Sequence, residues 1–89
     1  MIAIPTKLSH IQEDEISGEV VLYDPTTTRV IYLNPQAKLI WDLIDNERSQ
    51  VDIVSVLQEV FPGNDSIVLD VNDALNRLEE FGALNFLGE

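Results

Sequence analysis

The chain carries few side chains that could catalyse a reaction. His10 is the only histidine and there is no cysteine, so neither a thiolate–imidazole pair nor a zinc–thiolate site can be assembled. The sequence also has no glycine-rich phosphate loop and no HExxH spacing. These observations predict a protein that is not an enzyme and that needs no metal ion or other cofactor.

Closely spaced carboxylates are the remaining candidates for acid–base chemistry. Asp70 with Asp73, and Glu79 with Glu80, would have to be buried before their pKa values suited proton transfer. Both pairs lie in a segment with helical periodicity, where acids commonly stabilise the helix start or form a solvated face. We therefore predict structural roles for all four.

The net charge narrows the range of partners. Sixteen acidic residues against five basic ones give a formal net charge of −11. The basic residues are too scattered to bind a phosphate backbone, and residues 70–80 contain one arginine against four acids. No apolar run approaches the ~20 residues of a membrane span. We expect no nucleic-acid partner, no membrane partner and, since cysteine is absent, a cytoplasmic location.

Two apolar strands form the predicted centre of a sheet. Residues 19–23 and 29–33 are rich in β-branched and aromatic side chains, and residues 24–28 between them have turn composition. An earlier strand is predicted near residues 7–12, with acidic residues 13–15 and Ser17-Gly18 forming an exposed turn after it. Unless that first strand pairs with residues 29–33, one edge of the latter stays free to accept a strand from another chain.

Three helices are predicted to follow the sheet. Asn34 and Pro35 open the first, which ends near residues 45–46. Ser49 starts the second with a capping box, and the third begins near Asp70 and ends at Gly82.

Residues 83–87 form either a last strand or a strap over the core. The predicted fold is α+β: a small winged-helix-like domain in which a three-stranded antiparallel sheet precedes three helices, in a single domain over residues 1–89.

A local motif around Ser66 suggests one specific function. Residues 64–67, followed by an acidic helix, resemble the phosphopantetheine attachment site of acyl carrier proteins. Carrier proteins are all-helical and place that serine near the middle of the chain, whereas strand-like segments fill the first third of this one. We favour a loop serine ahead of the third helix and keep an acyl or peptidyl carrier modified at Ser66 as a minor alternative.

A broader resemblance covers nearly the whole chain. It is carried by residues 18–24, by Tyr32-Leu33-Asn34 followed by Ala37 and Ile40-Trp41, and by the apolar spacing of residues 70–84. This pattern resembles the family of coenzyme PQQ biosynthesis protein D (PqqD), which includes the RiPP recognition elements of lasso-peptide and related pathways. The family more often has leucine where Ala83 stands.

The resemblance implies a peptide chaperone. Such proteins bind the leader segment of a ribosomally made precursor peptide as an added strand, in a groove closed by the third helix. They present it to a modifying enzyme, either a radical-SAM enzyme or a leader peptidase that works with a cyclase. The free strand edge predicted from the residues themselves is the feature that this function requires.

Candidate peptide-binding residues follow from strand alternation and helical rotation. Arg29, Ile31 and Leu33 share one strand face, and the sequence does not say whether that face meets the helices. On the third helix, we expect the flank that includes Ala74 and Arg77 to form the groove wall, rather than the flank of Leu75 and Glu79. The predicted set is Arg29, Val30, Ile31, Tyr32, Leu33, Ala74, Arg77, Leu78 and Phe81.

Several of these residues have a second interpretation. Arg29 and Arg77 would either pair with acidic leader residues or form intramolecular ion pairs. Ala74, Leu78 and Phe81 are also compatible with an ordinary core, as is Trp41, which the helical pattern assigns to the core. The free strand would equally serve a homodimer, in which the edge pairs with a second copy of the chain.

Overall fold

The computed structural model describes residues 3–87, which form five strands and three helices. The elements are β1 (Ile4–Lys7), β2 (Gln12–Ile16), β3 (Glu19–Asp24), β4 (Arg29–Leu33), α1 (Pro35–Leu43), α2 (Gln50–Val60), α3 (Ile67–Phe81) and β5 (Leu84–Leu87). Strands β2, β3 and β4 form an antiparallel sheet in that order, and β1 pairs with β5 in a separate two-stranded sheet. The predicted α+β class with a three-stranded sheet and three helices is confirmed.

The N-terminal strands differ from the sequence prediction. A single strand over residues 7–12 was wrong, because β1 ends at Lys7 and β2 begins at Gln12. Acidic residues 13–15 lie within β2 rather than in a turn, and only Ser17-Gly18 turns the chain. Both turn residues have positive φ, 54° and 83°, which matches the twist that a two-residue hairpin needs. Every residue of β2 is exposed, so the strand has no apolar alternation that would reveal it.

The last segment is a strand and not a loose strap. Residues of β5 pair antiparallel with β1, with Leu84 opposite Lys7 and Leu87 opposite Ile4. Ala83 and Leu84 are fully buried beside the C-terminal end of α3. Gly82 joins the helix to this strand in a left-handed conformation with φ of 96°, as the predicted helix cap requires.

The helix starts largely follow the predicted capping residues. The Asn34 side chain accepts a hydrogen bond from the backbone N–H of Ala37, and Ser49 forms a reciprocal capping box with Asp52. Helix α1 ends at Leu43, slightly earlier than predicted. Helix α3 begins at Ile67, one turn earlier than predicted, so that Ser66 directly precedes it and Asp70 lies in its first turn.

The core lies between the three-stranded sheet and the helices. Leu22 and Leu33 on the sheet meet Ile40, Trp41 and the buried stripe of α3, and Trp41 is therefore in the core as predicted. The indole Nε1 of Trp41 donates a hydrogen bond to Glu13 Oε1 at 2.9 Å, which ties β2 to α1. Within residues 3–87, no helix is long and apolar enough to cross a membrane.

Candidate functional site

Strand β4 is one of the two edge strands of the three-stranded sheet. One side of β4 pairs with β3 over its whole length, from Arg29 opposite Asp24 to Leu33 opposite Val20. Its other side pairs with no strand in the part of the chain that the structure describes. The chain passes from Leu33 through Asn34 directly into α1, so the unpaired side of β4 ends at the start of this helix. Unpaired backbone N–H and C=O groups on such an edge can bind an extended peptide.

An open cleft separates β4 from α3. Its volume is about 110 Å³, which is below the ~300 Å³ typical of small-molecule pockets and suits one or two side chains of an extended peptide. The residues that line it come from β4, the first turn of α1 and one flank of α3: Ile31, Tyr32, Leu33, Asn34, Gln36, Ala37, Asp70, Asp73, Ala74, Arg77 and Leu78.

The strand alternation places an apolar surface inside the cleft. Ile31 and Leu33 face the helices, whereas Val30 and Tyr32 are 48% and 63% exposed on the opposite face of the sheet. Ala74 lies across the cleft on α3, and its methyl group leaves space that a larger side chain would fill. The cleft is therefore open to solvent, and it combines apolar side chains of β4 and α3 with polar side chains from the start of α1 and from α3.

The structure brings six of the nine predicted peptide-binding residues to the cleft. These are Ile31, Leu33, Ala74, Arg77 and Leu78, together with Tyr32, which borders the cleft although its side chain is mostly exposed. Of the remaining three, Val30 faces solvent, and Arg29 and Phe81 contact each other at the far end of β4. A role in peptide binding stays a prediction for all nine.

Sequence reasoning did not include the part of the site that belongs to α1. Asn34, Gln36 and Ala37 line the cleft because β4 runs directly into this helix. Asp70 and Asp73 were interpreted as residues that stabilise a helix start or form a solvated face, although they share the flank of Ala74 and Arg77. Their positions one turn before Ala74 and Arg77 were the available signal.

Arg29 is held in intramolecular contacts. Its guanidinium Nη2 donates a hydrogen bond to the carbonyl oxygen of Phe81, and its Cζ lies 5.0 Å from the centroid of the Phe81 ring. This carbonyl belongs to the last turn of α3, where backbone acceptors lack helical partners. Arg29 therefore joins the start of β4 to the end of α3, a contact between residues 52 positions apart.

These contacts predict different roles for the two arginines in stability. We expect Arg29→Gln to lower the free energy of unfolding by about 1–2 kcal/mol, because it removes a hydrogen bond and a cation–π contact. Arg77→Gln is the matched control: its ion pair with Asp73 spans 3.3 Å and is exposed, so we expect a change within about 0.5 kcal/mol. Urea unfolding followed by the fluorescence of Trp41, the single tryptophan, measures both. Equal effects of the two substitutions would contradict the role assigned to Arg29.

Asp24 organises the turn that leads into β4. Its buried carboxylate accepts hydrogen bonds at Oδ1 from the Thr26 backbone N–H at 2.9 Å and from the Thr26 hydroxyl at 2.6 Å. His10 Nε2 lies 3.6 Å from the same oxygen. The Thr26 hydroxyl bond is the main cause that lowers the pKa of Asp24 below its usual 3.8, with the backbone bonds and His10 adding to it against the opposing effect of burial.

A dependence of stability on pH follows from this pKa. Because the pKa of Asp24 is lower in the folded protein, its ionised form stabilises the fold above pH 3.8, and this contribution is lost as the pH falls through the folded-state pKa. We expect Thr26→Ala to reduce the loss of stability on acidification below about pH 4, because it removes the main cause of the shift. Chemical unfolding at several pH values measures this. Thr27→Ala is the control, and an identical pH profile for Thr26→Ala and the wild type would contradict the assignment.

The cleft offers little to a metal ion. Among residues 3–87, no group of three or more His, Cys, Asp or Glu side chains is arranged to hold one. Asp70 and Asp73 are the carboxylates in the cleft, and the Asp70 Oδ2 already accepts hydrogen bonds from Gln36 and Ser66. The chemistry available at this site is therefore main-chain pairing, apolar contact and charge recognition.

Comparisons with known proteins agree on one family and fold. The model of the family described as coenzyme PQQ synthesis protein D (PqqD) matches residues 19–84. No curated protein matches the chain by sequence. A solved structure of TbiB1 in complex with the TbiA(beta) leader peptide superposes with a TM-score of 0.79 at 20% identity, covering 94% of this chain and 99% of that one. A lasso peptide synthetase B1 complexed with the leader peptide gives 0.78 at 20% identity, covering 91% and 96%.

Proposed function

Because the chain belongs to the family of coenzyme PQQ synthesis protein D, we propose that it binds the leader segment of a ribosomally synthesised precursor peptide as a strand added to β4. The observation that carries this proposal is the position of the unpaired β4 edge directly beside the cleft. An extended peptide on this edge completes the backbone hydrogen bonds of β4 and places alternate side chains in the cleft.

The pairing within the sheet favours one direction for the added strand. All strand pairs among the described residues are antiparallel, and antiparallel pairing is slightly more stable per residue than parallel pairing. We therefore propose that the peptide runs antiparallel to β4, with its N-terminal part beside Leu33 and its C-terminal part beside Arg29. Side chains opposite Ile31 and Leu33 then point toward α3.

Two solved structures support a peptide as the ligand. TbiB1 and a lasso peptide synthetase B1, which share this fold, were each solved in complex with a leader peptide, and each aligns with more than nine tenths of this chain. The cleft volume, the apolar floor and the unpaired edge together fit an extended segment better than a compact small molecule.

We further propose that the bound leader is presented to a modifying enzyme. A radical-SAM enzyme and a leader peptidase are the two candidates. The leader occupies one edge of the sheet, so the outer sheet face with exposed Val30 and Tyr32 stays accessible to a second protein while the peptide is held. Co-migration of this chain with either enzyme in size-exclusion chromatography, dependent on added leader peptide, would support one of them.

A homodimer that pairs two β4 edges is the second candidate. The same unpaired edge and the two exposed apolar residues beside it, Val30 and Tyr32, would suit a second copy of the chain. In that case a peptide that binds β4 competes with the dimer. Sedimentation velocity at several protein concentrations, with and without peptide, separates the two functions.

Fluorescence polarisation with labelled synthetic leader segments tests the main proposal. The probes are leader segments of short precursor peptides encoded beside this chain's gene. An added strand of a few residues predicts a micromolar Kd, equivalent to about −8 kcal/mol. Saturable binding at this level by one leader, and not by a scrambled peptide of the same composition, supports leader binding. Equal binding of both peptides, or none of either, would overturn it.

A further inference from the structure

The charged residues of the cleft follow a fixed order along β4. Helix α3 runs opposite to β4: its C-terminal residue Phe81 contacts Arg29, whereas Asp70 near its start contacts Gln36, just beyond the end of β4. Moving along the cleft from the Leu33 end, α3 therefore presents Asp70, then Asp73 one turn later, and then Arg77. The acidic end of the cleft is the end that meets the N-terminal part of an antiparallel peptide.

Nearby positive charge neutralises this end only in part. Arg77 is the cation that lines the cleft, and its guanidinium already lies 3.3 Å from Asp73. Lys38 on α1 is paired with Asp42, and Arg29 is held by Phe81 at the opposite end. The two carboxylates are opposed by the single positive charge of Arg77 and by roughly half a positive charge from the N-terminus of α3, which leaves a net negative charge of about one half at this end.

The apolar part of the cleft lies next to this acidic end. Ile31 on β4 faces Ala74 and Leu78 across the cleft, two strand positions before Leu33. In an added strand, side chains two residues apart point to the same face. One cleft-facing side chain of the peptide therefore meets Ile31, Ala74 and Leu78, and the next one meets the carboxylates.

On the basis of the leader-binding function proposed above, we propose that the cleft selects a leader with a basic residue two positions N-terminal to an apolar one. The apolar side chain lies against Ile31, Ala74 and Leu78. The basic side chain lies beside Leu33, pairs with the carboxylate of Asp70 and shares the carboxylate of Asp73 with Arg77. The sequence also suggested that Arg29 pairs with an acidic leader residue. This arrangement does not include that pair, because the guanidinium of Arg29 is already in contact with Phe81.

Selection from an mRNA-displayed library of random 12-residue peptides tests this proposal. Enriched peptides are synthesised with a fluorophore, and their affinities are measured by fluorescence polarisation. We expect enrichment of the basic–any–apolar pattern, and replacement of the basic residue by Gln should weaken binding by roughly three- to fivefold. Enrichment of acidic residues at that position, or no effect of the Gln replacement, would overturn the proposal.

Protein variants identify the carboxylates responsible. In Asp70→Asn/Asp73→Asn, the Gln replacement in the peptide should have no effect. Glu59→Gln/Glu79→Gln is the matched control: it removes the same charge from exposed helical positions outside the cleft and should keep the three- to fivefold effect. Asp73→Asn alone is the second variant. Asp73 is exposed, so this substitution keeps the hydrogen bonds that Asp70 accepts at the start of α3. If replacing the basic peptide residue by Gln still weakens binding three- to fivefold in both Asp variants, the assignment is contradicted.

The test also separates this inference from the function on which it rests. If Ala74→Phe, which fills the cleft, does not weaken the enriched peptides, they bind elsewhere, and both the leader-binding site and the charge order are wrong. If Ala74→Phe weakens binding but the basic residue does not matter, the strand-addition site stands and the charge order alone is wrong.

Discussion

Replacing Ala74 with phenylalanine is expected to weaken binding of a leader peptide by at least about tenfold, equivalent to ~1.4 kcal/mol. Ala74 lies on the wall of the cleft, and the cleft volume of about 110 Å³ leaves no room for both a phenyl ring and a peptide side chain. The backbone edge of β4 remains intact, so the effect arises from excluding side chains from the cleft. Fluorescence polarisation with the labelled leader measures it.

The control for this substitution lies on the same helix. Asn76 is exposed on the opposite side of α3, and Asn76→Phe adds the same ring with no access to the cleft. We expect unchanged affinity for Asn76→Phe. Equal affinity of Ala74→Phe and the wild type would mean that the peptide does not use the cleft. Equal loss in both variants would indicate a general effect of the added aromatic ring.

Leu78→Ala is expected to produce the largest loss of stability, about 3 kcal/mol. Leu78 lines the cleft but is only 2% exposed, and it belongs to the buried cluster with Leu33 and Leu75. Truncating it leaves a cavity between α3 and the sheet that the surrounding elements cannot fully close. Urea unfolding followed by tryptophan fluorescence measures the change.

An exposed residue provides the comparison for Leu78. Val51 is 69% exposed at the start of α2, and Val51→Ala should change the free energy of unfolding by no more than about 0.5 kcal/mol. If Leu78→Ala behaves like Val51→Ala in stability, Leu78 is not a core residue. The predicted large loss would show that Leu78, which lines the cleft, is also part of the core.

The central hairpin and the helices could be predicted from sequence because local chemistry determines them. Residues of β3 and β4 are β-branched or aromatic, and Asn34, Ser49 and Gly82 cap helices in the way that their side chains and backbone allow. Strand β2 could not be predicted in the same way. It is an acidic, fully exposed edge strand whose conformation comes from pairing with β3 and from the Ser17-Gly18 turn.

In the candidate site, too, local patterns predicted some features, whereas contacts between distant residues could not be predicted. Helical rotation grouped Ala74, Arg77 and Phe81 on one flank, of which Ala74 and Arg77 line the cleft and Phe81 does not. Strand alternation grouped Ile31 with Leu33. The contact of Arg29 with Phe81 depends on how α3 crosses the sheet, which no local pattern encodes. The charge order of the cleft depends on the same crossing, so it became visible only in the folded chain.

A backbone amide NMR titration of the labelled protein with a leader peptide tests strand addition most directly. Strand addition predicts that chemical shift changes concentrate on residues 30–33 and on the cleft flank of residues 74–81. It also predicts that amides on the outer edge of β4 become protected from hydrogen exchange when the peptide is bound. Saturable peptide binding with unchanged shifts and unchanged exchange at β4 would contradict leader capture on this edge.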